Sequence, residues 1–216
     1  MSTYSLNDHK GIPLDKRMEQ YLSSISNGFY IEAGAFNGLD QSNTKYLENK
    51  GWTGILIEPC TNSFNECVKN RNPSNIFINA ALVEDCSIEP KVFGDFDSKI
   101  MASIGGTHLK REPFQWVDTI DFKTIFNTHN ITKVDYLSLD VEGYELQALK
   151  GIDYNKVRPT YMLIEVHDHE KDDIFKFLTE VKYTCLGNIS NYNVKDNPAW
   201  GRYHNDYLFV DDLINI

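Results

Sequence analysis

The runs TGILIE (53–58) and TYMLIEV (160–166) are apolar at nearly every consecutive position, not at alternate ones. A strand with one face in water alternates, so unbroken runs call for a sheet covered on both faces. Segments of helical spacing separate the runs. The pattern predicts strands over 29–32, 54–58, 76–81, 134–140, 160–167 and 207–210, and helices over 14–25, 42–49, 62–70, 122–127, 144–149 and 172–181. That is a doubly wound α/β plan around a mostly parallel sheet. The 216 residues suffice for one well-buried core, so a single domain over 1–216 is expected, with 1–27 as a helical extension.

Two segments, 86–116 and 187–203, fit no element. Both are polar, rich in glycine, proline or asparagine, and longer than an ordinary connection. They read as substrate loops or as plain surface loops, and His108 and His204 in or beside them as substrate contacts or solvated side chains. The formal charge of −10 repels a polyanion, which weighs against nucleic acid and favours a neutral or cationic small molecule. No stretch approaches the roughly 18 apolar residues of a membrane span. The opening MSTYSLNDHKGIPLDK lacks the apolar centre of a secretory signal, so a cytoplasmic protein is expected, host-cytosolic if the chain is viral. Cys60, Cys67, Cys86 and Cys185 are scattered without zinc spacing and read as reduced thiols.

The turn YIEAGAFNGLDQS (30–42) follows the first predicted strand, where open α/β sheets bind ligands. Its glycines, Gly34 and Gly38, do not form the GxGxxG of dinucleotide enzymes. Glu32 beside them would oppose a diphosphate by about 1 kcal/mol in water, and more in a cleft. A carboxylate there suits a cation, and the nucleoside cofactor that is cationic is S-adenosylmethionine. Glu58 ends the second strand, where an acid accepts ribose hydroxyls. The expected cofactor contacts are Glu32, Gly34, Ala35, Asn37, Gly38 and Ser42 from the first turn. Glu58 and Pro59 follow from the second, then Asn79, Ala80 and Ala81 after the third, and Asp140 from the fourth strand.

VDYLSLDVEGYELQALKGI (134–152) reads as strand, tight turn and short helix, with Asp140 and Glu142 where the strand stops. LIEVHDHE (163–170) adds Glu165 and His167, two apart and so on one face of the next strand. An alcohol needs help to lose its proton before it can be methylated. His167, with an unperturbed pKa near 6.5, is a candidate base, with Asp140 and Glu142 as catalytic partners. A second route makes Asp140, Glu165 and His167 ligands of a divalent ion, magnesium or manganese. Capping and salt bridging at strand ends is the structural reading of the same acids, and Glu145 in the first helical turn suits the helix dipole.

FYIEAGAFNG, GILIEP, NAAL, TID at 119–121, VDYLSLDVEGYELQALKGI and RPTYMLIEVH, in that order, resemble the FkbM-type S-adenosylmethionine-dependent methyltransferases over about residues 28–168. The DVEGxE block followed by E-x-H carries most of the specificity. The resemblance implies a class I methyltransferase fold, a seven-stranded sheet with one antiparallel strand, here YLFV (207–210). It also implies O-methylation of a sugar or oxygenated natural product, and a sugar, nucleotide sugar or glycan as partner. Glu32, Gly34, Gly38 and Glu58 carry over to the cofactor, and Asp140, Glu142, Gly143 and Glu145 to the signature block. Glu32 stands where Asp is commoner, and Phe36 is unusual inside the turn. The alternatives are another small oxygenated acceptor, a nicotinamide-dependent oxidoreductase, or a non-catalytic glycan-binding scaffold.

Overall fold

The computed structural model describes residues 4–96, 102–105, 114–193, 195 and 204–214. The elements run α1 (Leu14–Leu22), β1 (Phe29–Ala33), α2 (Lys45–Glu48), β2 (Thr53–Ile57), α3 (Thr61–Asn70), β3 (Ile76–Ile78), β4 (Ala81–Leu82) and β5 (Lys91–Gly94). Then come β6 (Gln115–Ile120), α4 (Phe122–Thr128), β7 (Val134–Leu139), α5 (Glu145–Lys150), β8 (Pro159–His167), α6 (Lys171–Glu180), β9 (Tyr183–Asn188) and β10 (His204–Asp211).

Seven strands form the main sheet in the order β3-β2-β1-β7-β8-β10-β9. All pair in parallel except β10, which is antiparallel to both β8 and β9. This is the doubly wound sheet with one reversed strand that the resemblance implies. The unbroken apolar runs are explained by its two faces. Ile31, Ile55, Ile57, Leu137, Leu139, Met162 and Ile164 pack under α4, α5 and α6. Tyr30, Leu56, Tyr136, Tyr161 and Leu163 pack on the other side with Met18 and Leu22 of α1 and Tyr46 and Leu47 of α2. Each such side chain contributes roughly 1.5–3 kcal/mol by leaving water, which is why the central strands are the firmest part of the fold.

The region 76–120 departs from expectation. The strand predicted over 76–81 stops at Ile78, because the Asn79 amide turns to donate to the carbonyls of Glu58 (2.8 Å) and Pro59 (3.0 Å). The chain then joins a second sheet, β4-β6-β5. The expected loop 86–116 therefore contains β5 and the first residues of β6. Its parts 97–101 and 106–113, with His108, lie outside the described residues. Asp121 ends β6 and caps α4, accepting from Thr124 N (2.7 Å) while its other oxygen accepts from Cys86 N (3.0 Å). The other unpredicted strand, β9, is an edge strand whose register slips against β10 between Leu208 and Phe209. Of the second expected loop, 194, 196–200 and 201–203 lie outside the described residues. All four cysteines are free thiols. Among the described residues, no helix is long and apolar enough to cross a membrane.

Candidate active site

Strand order reverses between β1 and β7, which makes their carboxyl ends the switch point where such sheets hold ligands. Asp140 N donates to the Ala33 carbonyl (3.1 Å), drawing the two strand ends together. Gly34 follows with φ +82°, and a Cβ built on it would sit 1.8 Å from the Asp140 carbonyl oxygen. Only glycine satisfies both the left-handed backbone and that approach. Gly34 N and Ala35 N both donate to Ile57 O (3.0 Å each), fixing the turn to the end of β2.

A cleft of about 870 Å³, counting its open mouth, lies beyond this turn. Gly34, Ala35, Ser42, Glu58 and Pro59 line one part, and Ala80, Ala81, Asp140 and Glu142 another. Ile57, Leu82, Phe96 and Ile104 supply an apolar stretch of its wall. Glu58 is 6% exposed; Oε2 accepts from Phe36 N and Oε1 from Cys60 N, both at 2.8 Å. Each oxygen keeps a further lone pair. Burial pushes the Glu58 carboxyl up to about 7, and the two backbone donors offset only part of that.

Four residues expected at the cofactor are absent from the cleft's described lining: Glu32, Asn37, Gly38 and Asn79. Glu32 has been given a different partner. Its oxygens accept from Ser42 Oγ (2.9 Å), Asn43 N (2.7 Å) and Thr44 Oγ1 (2.7 Å), and pair with Arg71 Nη1 at 2.9 Å. The charge that sequence reasoning assigned to a cationic ligand is therefore matched inside the protein. Arg71, which that reasoning missed, has a fully buried side chain; it also reaches Glu48 Oε2 (2.9 Å), Tyr30 Oη (2.8 Å) and Thr44 Oγ1 (2.8 Å). A lone arginine at the end of a helix carries no periodic signal that would have marked it. Asn37 accepts from Leu39 N and Asp40 N and shapes the turn, whereas Gly38 (φ +78°) packs on Arg71, whose Cγ lies 2.7 Å from where its Cβ would stand. Asn79 braces the end of β2 as described above.

A second group of side chains gathers at the next strand ends. Glu165 Oε2 lies 3.1 Å from His167 Nε2, and Glu165 Oε1 pairs with His204 Nδ1. Oxygens of Asp140, Glu145 and Glu165 lie within 4.8 Å of one another. The metal set expected from sequence thus falls into two groups sharing Glu165: His167 goes with His204, and Asp140 with Glu145. Burial alone would raise Glu165, but hydrogen bonds from the two histidines hold it at about 2. Burial disfavours the His167 cation, yet the Glu165 carboxylate outweighs it and lifts the imidazole to about 9. His167 therefore carries a proton at neutral pH, which differs from the ordinary-pKa base expected from sequence. Burial first, then the charges of Glu165, Glu142, Glu145 and Asp206, push Asp140 well above the usual carboxylate range. Glu145 is fully buried and accepts from Val141 N (2.8 Å) and Gly143 N (3.0 Å), tying down the DVEG turn; there Glu142 (φ +56°) and Gly143 (φ +91°) are both left-handed.

Known proteins resemble this chain in sequence and in fold. The hexuronic acid methyltransferase AglP of Haloferax volcanii is 29% identical over 124 residues, 56% of this chain and 47% of that protein. The match thus spans about half the length of that relative. A TehB-like SAM-dependent methyltransferase from Corynebacterium glutamicum superposes with a TM-score of 0.51 at 10% identity, covering 92% of this chain and 87% of that one. The proposed RNA methyltransferase PH1948 of Pyrococcus horikoshii gives 0.51 at 11%, covering 94% and 82%. At such identities the likeness concerns the fold alone. The model of the methyltransferase FkbM domain matches residues 32–185, well over half of the sequence, and the chain belongs to that family of methyltransferases.

Proposed function

We propose that the protein transfers a methyl group from S-adenosylmethionine to a hydroxyl of a sugar or glycan. One observation carries the reading: a cleft with a partly apolar wall and a buried carboxylate, Glu58, runs from the switch point to Asp140, within reach of the Glu165 cluster. The cleft fits the donor. Its apolar wall suits an adenine, the free lone pairs of Glu58 suit the ribose hydroxyls, and the close Gly34 turn leaves room for a backbone-hugging chain. When bound, S-adenosylmethionine supplies an electrophilic methyl on a sulfonium sulfur that departs with the bonding electron pair.

The chain's own residues orient the acceptor and take its proton. Asp140 lines the cleft, and it is the carboxylate best positioned to accept a hydroxyl proton, with Glu142 beside it. His167, whose ring is fixed by Glu165, holds positive charge against the surrounding acids. Family membership and the hexuronic acid methyltransferase relative support a sugar acceptor. An acidic surface supports a neutral one. Incorporation of labelled methyl across a panel of sugars, nucleotide sugars and glycans tests this directly; transfer only to nitrogen or nucleic acid acceptors would sink it. Asp140→Asn should lower turnover on the order of a hundredfold or more, and unchanged turnover would remove it as the base.

Donor binding also carries a pH signature. A protonated Glu58 has lost one of the two lone pairs left free for the ribose hydroxyls, so affinity for S-adenosylhomocysteine should rise between pH 6 and 8 around a midpoint of about 7. Glu58→Gln should flatten that rise. The same group works against folding: its folded pKa lies above the ordinary 4.5, so its contribution to stability declines as pH rises from 4.5 to about 7. Titration calorimetry at three pH values reads the affinity, and a pH-independent wild type would refute the contact.

A further inference from the structure

His167 on β8 and His204 on β10 are directly opposed in antiparallel register. Glu165 precedes His167 by two residues, so all three side chains project from one face of the sheet, as does Asp206, the partner of Glu165 across the ladder. They are 8%, 9% and 7% exposed for His167, His204 and Glu165. One ligand atom from each of the three lies within 4.8 Å of the other two. Two imidazole nitrogens and a carboxylate oxygen converge here from two hydrogen-bonded strands, a mixed nitrogen and oxygen donor set.

The surroundings are rich in acids. Asp140 and Glu145 bring oxygens within 4.8 Å of Glu165, and Asp206 faces it across the ladder. Among the described residues, no lysine or arginine forms an ion pair with Asp140, Glu145, Glu165 or Asp206. A metal ion there would take the place of the protons that His167 and these acids otherwise hold. Imidazoles favour first-row transition ions, whereas magnesium prefers oxygen ligands and gives up its water reluctantly.

We infer that Glu165, His167 and His204 bind one divalent transition ion of the manganese-to-zinc series in preference to magnesium. Binding does not depend on the methyl-transfer reading. Its use does, since an ion there lowers the pKa of a hydroxyl brought to it.

Chelator-treated protein of residues 1–216 dialysed against cobalt(II) tests the site. Retention of about one equivalent, a visible d–d absorption, and survival of both in a hundredfold excess of magnesium are expected. His204→Ala and Glu165→Gln, shown to be folded by circular dichroism, should each weaken cobalt binding at least tenfold, in line with what disturbed ligand shells lose. No retention by the wild type, displacement by magnesium, or unaltered binding in both folded variants overturns the assignment. Calorimetry with S-adenosylhomocysteine on the same samples separates the two readings: nucleoside binding without cobalt ends the metal site alone, and cobalt without nucleoside ends the methyltransfer reading alone.

Discussion

Arg71→Met is expected to destabilise the protein by about 3–5 kcal/mol, the range found when one partner of a buried ion pair is removed. The guanidinium has no exposed surface, and it joins Glu32 of β1, Glu48 of α2 and the hydroxyls of Tyr30 and Thr44. Methionine fills much of the volume but leaves two buried carboxylates facing each other. Lys45, 2.5 Å from Glu48, compensates only one of them. Arg71→Lys should recover part of the loss, since an ammonium keeps the charge but not the planar fork. Urea denaturation reads the effect, and a loss under about 1 kcal/mol would show that the network contributes little. Glu48 gives the pH dependence its sign. Its folded pKa is held down to about 2, against burial, by Lys45 and Arg71, so this stabilisation is full above 4.5 and disappears as pH falls towards 2.

Gly34→Ala should abolish cofactor binding. A left-handed backbone costs an alanine about 1–2 kcal/mol, but the larger obstacle is the Asp140 carbonyl oxygen 1.8 Å from the new methyl. That oxygen belongs to the main chain at the end of β7 and has no rotamer to take. The turn must move away from β7, and the cleft wall moves with it. Gly11→Ala is the control, because Gly11 has a similar φ of +76° with nothing within 4 Å of its Cβ. It should show the conformational penalty without loss of affinity. If Gly34→Ala binds S-adenosylhomocysteine as the wild type does, the turn does not shape the cofactor site.

The central strands were legible because burial on both faces leaves apolar side chains on consecutive residues. β5 and β6 were not. Their burial is one-sided or irregular, and one outer face exposes Phe93 and Trp116, so neither unbroken apolarity nor clean alternation marks them. Sequence also placed Glu58, Asp140 and Glu165 at strand ends, a consequence of strand length alone. The partner of Glu32 was hidden, since Arg71 lies 39 residues away and local spacing says nothing about which buried charges meet. His204 was read only as a substrate contact or a solvated side chain, and its partners were hidden for a related reason. Its position opposite His167 depends on β10 inserting beside β8, a pairing set by the sheet order.

The placement of β10 between β8 and β9 also bears on biosynthesis. Until residues 204–211 clear the ribosome, β8 and β9 both present unpaired edges, the open-strand condition that invites aggregation. The nascent chain then has six strands of the main sheet translated, but β9 cannot join the other five without β10, and chaperone demand should peak over that interval. A translation product arrested before residue 204 would lack the strand that closes the gap, so prematurely terminated copies would be sticky.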